Sequence, residues 1–344
     1  MAKMDVQMTN KILIVAPSWV GDTMLMHPML VRLKQRHPDS FLDVMVPPWA
    51  EDLIRQMPEV NNTISNQFPH GALQFSARFS MGMQLRNNHY DQAIVLPNSF
   101  KSALIPFFAG IPVRTGFVGE MRYGLLNDAR KLDKNALPLM VERFAQLAEL
   151  PRDAIQRPLP QPRLSVSAQQ RQVVLDKFSL TLDKPVAVFC PGAEYGPAKR
   201  WPIPYFAELA QRLQREGYIV WIVGSNKDRE TGDKIVALGN VSSRNLCGST
   251  NLAEAIALID CASLVVSNDS GLMHLAAALD RPMLALYGSS SPSFTPPLSK
   301  QAQILKIDIP CSPCFKRECP LGHFKCMNNL SPEIVAAHLP ALPG

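Results

Sequence analysis

The sequence predicts an α/β protein built from two Rossmann-like, doubly wound domains facing a central cleft. Three observations predict it. Short apolar runs alternate with amphipathic stretches from Lys11 onward, and the same rhythm restarts at Val186. Such alternation builds parallel sheets covered by helices. A stretch holding Pro151, Pro158, Pro160 and Pro162 separates the two series, as a linker would. The length, 344 residues, suits two cores better than one. We expect an N-terminal domain over 1–165 and a C-terminal domain over 166–344, with the linker region at 151–184.

The elements follow in order. Lys11–Val15 reads as a buried strand, because five apolar or stem-bearing residues run into the loop Ala16–Asp22. Asp22 to about Arg36 carries Met24, Leu25, Leu30 and Leu33 at helical spacing, with Pro28 early enough to be tolerated. A strand at Leu42–Val46, a helix from about Pro48 to Gln56 and a weak strand at Val60–Ile64 come next. Leu73–Arg86 is helical in pattern despite Gly82. Gln92–Leu96 is a strand closed by Pro97–Asn98–Ser99, and Ser99 is placed to cap a helix carrying Lys101 to Ile105. Val113–Phe117 is a further strand, and a helix around Pro138–Leu150 ends this half.

After a polar helical patch at Ser167–Lys177, Val186–Cys190 opens the second series. Its loop, Pro191–Trp201, leads to a helix over Pro202–Glu216, a strand over Tyr218–Val223 and a helix over Asp228–Leu238. A short strand near Asn245–Cys247, a helix over Leu252–Asp260 and a buried strand at Leu264–Val266 follow. A helix beginning near Ser270 and a last strand, Met283–Tyr287, complete it.

Composition narrows the function classes. Hydrophobic residues make up 47% and charged residues 19%, an ordinary globular balance. The net charge of +6 suits anionic ligands, yet it is small and scattered, which argues against nucleic acid. No apolar run approaches the ~18 residues a membrane span needs. Met1–Asn10 is polar and lacks the apolar core of a signal peptide, so a cytoplasmic location is expected.

In open parallel sheets, ligands sit beyond the carboxyl ends of the strands. Neither G-x-G-x-x-G nor G-x-x-x-x-G-K-[ST] occurs, which removes the usual support for dinucleotide and P-loop chemistry. The stretch Ser267–His274 passes from a strand into a helix that Asp269 or Ser270 can cap. It reads as an ordinary strand-to-helix turn or as an anion site at a helix N-terminus. Ser270 and His274, four apart, share a face, and Asp269 is placed to take a sugar hydroxyl. The loops Pro191–Pro202, with Gly192, Lys199 and Arg200, Gly224–Ser225 and Gly288–Pro292 add small residues, hydroxyls and cations. A diphosphate needs these groups. Trp201 reads as a core anchor. In the first half, Asp22 is either a helix cap or a base facing the cleft. Lys101, Arg114 and Arg122 are either holders of acidic groups or scattered surface charge.

Six motifs then point to a family. The loop Pro17–Asp22, Leu96–Ser102, Arg114–Phe117, Met121–Asp128, Pro191–Pro202 and Asn268–His274 together resemble the lipopolysaccharide heptosyltransferases of the second type, ADP-heptose:LPS transferases of Gram-negative bacteria. The likeness runs from about residue 11 to about residue 300. It implies a GT-B fold, with acceptor in the N-terminal domain and ADP-heptose in the C-terminal domain. It implies inverting transfer of L-glycero-D-manno-heptose onto the first heptose of the inner core on lipid A, with no metal and no cofactor. By the match, Asp22 is the base and Lys199 neutralises the leaving ADP. Gly192, Lys199, Ser225, Asp269, Ser270, Gly271 and His274 bind donor, and Ser18, Trp19, Lys101, Arg114 and Arg122 lie toward the acceptor. The lipid acceptor further implies peripheral contact with the cytoplasmic face of the inner membrane. Ala103–Ala109 could make it, although a buried helix face is the simpler reading of that segment. A related transferase with another nucleotide-sugar or acceptor, or a non-catalytic sugar-nucleotide or redox-sensing protein, are the competing readings.

The seven cysteines divide in two. Cys190, Cys247 and Cys261 read as small core residues. Cys311, Cys314, Cys319 and Cys326 could hold Zn²⁺ or a cluster, but their x2, x4 and x6 gaps match no standard site well, so reduced packed thiols, or disulfides formed on handling, are expected before a metal. This tail is not shared throughout the family it resembles, and it is expected to lie outside the strand-end loops.

Overall fold

The computed structural model describes residues 11–340 apart from His70 and Val241. The N-terminal stretch on which the leader expectation rests lies outside the described residues. The chain divides by packing into two units, up to Pro160 and from Gln161. The division falls five residues before the expected boundary. Leu164 N–H donates to Ala278 O, so the chain is already part of the second unit there.

The first unit holds a parallel sheet of β1 (Lys11–Val15), β2 (Phe41–Val46), β3 (Asn62–Ser65), β4 (Gln92–Val95), β5 (Val113–Phe117) and β6 (Asp128–Arg130). Its helices are α1 (Val20–Arg36), α2 (Glu51–Ile54), α3 (Phe75–Leu85), α4 (Leu104–Phe108) and α5 (Met140–Gln146). The strand order is β3-β2-β1-β4-β5-β6. Ile14 pairs with Val44 on one side and Ile94 on the other. Ile12, Leu13 and Ile14 are fully buried, because a central parallel strand is covered on both faces and reads as an unbroken apolar run.

In the second unit the strands are β7 (Val186–Cys190), β8 (Ile219–Ile222), β9 (Arg244–Asn245), β10 (Leu264–Asn268), β11 (Met283–Tyr287) and β12 (Ala302–Lys306). The helices are α6 (Ala168–Phe178), α7 (Ile203–Arg215), α8 (Arg229–Gly239), α9 (Leu252–Asp260), α10 (Gly271–Ala278), α11 (Lys325–Asn328) and α12 (Pro332–Ala336). The order β12-β11-β10-β7-β8-β9 is the same topology as in the first unit, counted from β7. Each unit therefore reverses its winding between its first and fourth strands, and a crevice opens beyond the carboxyl ends of those two strands. Trp201 anchors the second core as expected. It is buried, its ring meets Phe206 edge-on at 4.8 Å, and its Nε1–H donates to Leu330 O at 2.6 Å.

Three differences from the sequence reading have physical causes. Met283–Tyr287 is not the last strand, since β12 pairs parallel with it. β12 is an edge strand with only Leu305 buried, so it lacks an apolar run. β6 is three residues long and escapes a pattern search for the same reason. Ser99 makes no side-chain cap. A 3₁₀ turn, Phe100–Ala103, comes between it and α4.

Within the first unit, α1 is fastened by charge as well as by packing. Arg32 and Arg36 converge on Glu149, whose side chain is 5% exposed, at 2.5 and 2.8 Å. Removing the carboxylate leaves two guanidiniums facing each other in a half-dry site. We expect Glu149→Gln to lower unfolding free energy by about 2–3 kcal/mol, read from urea midpoints at unchanged m-value.

Candidate functional site

In the second unit, the crevice between β7 and β10 is built around Asn268, the last residue of β10. Its side chain is fully buried. Oδ1 accepts the Trp201 N–H at 3.1 Å and Nδ2 donates to Pro191 O at 2.7 Å. One amide thus holds both ends of the loop that follows β7. That loop carries Lys199, whose Nζ lies 2.6 Å from Asp269 Oδ2. Of the two roles read for Asp269, helix cap or holder of a sugar hydroxyl, its ion pair leaves the cap unused. Ser270 occupies the N-cap position of α10 with extended backbone, φ −148°, but its side chain caps nothing. Its Oγ lies 3.4 Å from Ser267 Oγ instead. With Gly271 opening the helix, no N-cap side chain covers the first N–H groups of α10, and such uncapped groups favour an anion.

His274 sits one turn into α10, buried beside this ion pair. Burial is the main cause that pushes its imidazole pKa down to about 4. Asp269 raises it and Lys199 lowers it further. The ring is neutral at pH 7, so it offers a hydrogen bond rather than a charge.

The remaining donor-side candidates fall on neighbouring loops. Ser225 is already engaged: its Oγ–H and its N–H both meet Asp228 Oδ2, at 2.7 and 3.0 Å. Its hydroxyl proton closes a turn. Gly192 lies against the same carboxylate, and a Cβ there would come within 2.5 Å of Asp228 Oδ2. Sequence reasoning grouped Ser289 and Ser290 with the last glycine loop without singling them out. Their hydroxyls are buried, and neither has a hydrogen-bond partner among the described residues. Buried hydroxyls left unpaired are costly, so they mark a place where a ligand or water completes the site.

In the first unit a cavity of about 520 Å³ opens at the carboxyl ends of β1, β2 and β4, lined by Ser18, Asn98, Ser99, Phe100, Lys101 and Arg78 among others. Lys101 and Ser18 thus meet in one hollow. Asp22 lies in the first turn of α1 and is half-buried, with Trp19 at the N-cap position and 39% exposed. Arg78, missed by sequence reasoning, is buried against Phe68 with its guanidinium carbon 4.2 Å from the ring centre. The only sequence signal was a lone cation within Phe75–Phe79.

Two arginines expected near the acceptor have other work. Arg122 is 2% exposed. Its guanidinium donates to Phe117 O at 2.6 Å, Pro97 O at 2.5 Å and Asn98 Oδ1 at 3.0 Å. Burial brings its pKa down to about 10. It ties loops together and presents no charge to a ligand. Arg114 donates to Leu125 O at 2.6 Å and Ile111 O at 2.5 Å, and stacks over Phe107. Its role is the same kind of clamp.

The cysteine loop is also placed differently from expectation. It packs onto the strand-end loops: Ala198 N–H donates to Arg317 O at 3.0 Å, and Phe315 N–H to Ser289 O at 2.7 Å. All seven cysteines are free thiols, and among the described residues no group of three or more His, Cys, Asp or Glu is arranged to hold a metal.

With this geometry in view, comparison with known proteins is informative. Residues 78–325 match the model of glycosyltransferase family 9 (heptosyltransferase). The chain is 49% identical to lipopolysaccharide heptosyltransferase 2 of Salmonella typhimurium, over 96% of this chain and 98% of that one. It is equally similar, 49% over the same shares, to the Escherichia coli protein of that name. The solved structure of E. coli ADP-heptose LPS heptosyltransferase II superposes with a TM-score of 0.86 at 46% identity, covering 95% and 96% of the two chains.

The buried imidazole makes a pH prediction. His274 has a folded pKa of about 4 against 6.5 for an unperturbed histidine. Between these values the unfolded chain binds the proton and the folded one does not, so stability is full above about pH 6.5 and falls as the pH drops toward 4. We expect the melting temperature of wild type to fall more steeply over this window than that of His274→Gln. Parallel curves would contradict the assignment.

Proposed function

The chain belongs to glycosyltransferase family 9, the heptosyltransferases, and on that premise we propose that it transfers L-glycero-D-manno-heptose from ADP-heptose to the first heptose of the lipopolysaccharide inner core. The observation that carries this reading is the Lys199–Asp269 pair at the uncapped start of α10, flanked by the unpaired hydroxyls of Ser289 and Ser290. An ADP-sugar needs this kind of place: N–H groups and a cation for the diphosphate, and a carboxylate and neutral imidazole for sugar hydroxyls.

The chemistry follows as one displacement. The acceptor hydroxyl attacks the anomeric carbon, the bond to the ADP oxygen breaks, and the configuration inverts. Asp22 takes the proton from the attacking oxygen. The negative charge that develops on the β-phosphate is met by the α10 N-terminus and by Lys199, already oriented by Asp269. No step in this scheme calls on a metal or a cofactor. The hollow holding Ser18 and Lys101, with Trp19 beside it, receives the acceptor, and Lys101 meets its acidic groups.

The acceptor's lipid places the enzyme at the cytoplasmic face of the inner membrane. No helix among the described residues is long and apolar enough to cross a membrane. Leu104, Ile105 and Pro106 are buried, so Ala103–Ala109 is mostly the buried helix face that the sequence favoured. The outward apolar surface beside it is formed by Phe75, Phe79, Met83 and Phe107, at 53, 46, 38 and 42% exposure. From Val60 to Gly119 the only acidic residue is Asp91, against Arg78, Arg86, Lys101 and Arg114. An exposed aromatic surface with few acidic residues around it suits a lipid surface.

Two measurements test these readings. With ADP-heptose and a heptose-bearing acceptor, Asp22→Asn is expected to cut kcat by about 10²–10⁴-fold while leaving the fold intact. Normal turnover by that variant removes Asp22 as the base. In flotation with vesicles containing phosphatidylglycerol, wild type is expected to float and Phe79→Ser/Phe107→Ser to stay behind. Equal flotation of the two proteins sinks the membrane surface.

A further inference from the structure

The cysteine-bearing loop between β12 and α11 carries a cation to the donor site. Tyr195, on the loop after β7, is flanked by two positive groups. Lys199 Nζ lies 5.2 Å from its ring centre and the Arg317 guanidinium carbon lies 5.3 Å from it. Arg317 comes from the segment between Cys314 and Cys319, far along the chain from Lys199.

Its position is built and not incidental. Tyr195 Oη–H donates to Phe315 O at 2.8 Å, Ala198 N–H to Arg317 O at 3.0 Å, and Ser312 Oγ–H to Gly288 O at 2.7 Å. The Arg317 carbonyl presses so close to Gly196 that a Cβ at that position would collide with it. Backbone groups do most of this seating. The Arg317 side chain is left exposed, and no ion pair to it forms among the described residues.

Charge balance gives that side chain something to do. Lys199 is paired with Asp269 at 2.6 Å, so the nearest cation to the α10 N-terminus is largely neutralised before any ligand arrives. A nucleoside diphosphate brings at least two negative charges. The unpaired hydroxyl of Ser289, whose carbonyl accepts the Phe315 N–H, marks the same side of the site as unfilled. An arginine fork there offers two parallel donors to phosphate oxygens, which a lone ammonium does not.

We propose that Arg317 is a diphosphate-binding residue, a second cation that the C-terminal cysteine loop delivers beside Lys199 to hold the ADP moiety of the donor. This rests on the donor reading given above. Tyr195 is the positioning residue, its ring centre 5.2 and 5.3 Å from the two cations.

The test is calorimetric titration of ADP and of adenosine into wild type, Arg317→Ala and Arg317→Lys, joined to steady-state kinetics with ADP-heptose. We expect Arg317→Ala to weaken ADP about tenfold and to raise KM for the donor similarly, with kcat changed by less than about threefold. Adenosine binding should stay as in wild type, and Arg317→Lys should recover most of the loss. The seating contacts use backbone atoms, so melting temperature should not move. Equal ADP affinity in wild type and Arg317→Ala overturns the proposal. Parallel loss of ADP and adenosine overturns it too, because that reports a displaced loop rather than a lost phosphate contact. Wild type that binds no ADP removes the donor reading itself, and is told apart by needing no variant to be seen.

Discussion

The second unit's site depends on one buried amide. Asn268 bonds the chain at Pro191 and at Trp201, ten residues apart, and so makes the loop between them a closed hairpin of fixed span. Lys199 hangs from that span. Lys199 reaches Asp269 because its loop returns to the end of β10, and Trp201 enters the core directly behind it. A buried amide with both its donor and its acceptor used is expensive to disturb. It makes a polar crevice as rigid as the apolar core beneath it.

Charge alone does not say where a cation works. In the first unit Arg78, Arg114 and Arg122 all donate to backbone carbonyls, and Arg122 does so almost without solvent. Guanidinium suits this because its five donors lie in one plane and remain charged when buried. The fastening of loops by arginine frees the lysines. Lys101 lines the first unit's hollow and Lys199 stands at the second unit's crevice. Within the first unit, arginine holds the loops and lysine is left for a ligand.

Much of this was legible in the sequence, for reasons that can be stated. Buried parallel strands such as Ile12–Ile14 and Val186–Cys190 announce themselves as unbroken apolar runs, and so did the strand-end loops that follow them. β6 and β12 were not legible, since an edge strand with one buried residue or none has no pattern to read. Asp269 looked like a cap because its position beside a helix start is where caps occur, while its true partner lies 70 residues away. The same blindness to distant partners hid Arg122 and the seating of the cysteine loop. Local pattern names the elements. Which polar groups spend each other's hydrogen bonds is settled only by the fold.

The identical strand order of the two units has a consequence for how such a protein diversifies. Each sheet presents its first and fourth strands to its own crevice, and the loops beyond them hang on a scaffold that the other unit does not share. In the proposed scheme, residues that choose the nucleotide and residues that choose the acceptor are thereby written on separate pages. A lineage can rewrite one vocabulary, lengthening a loop or appending a cysteine-bearing tail, without proofreading the other.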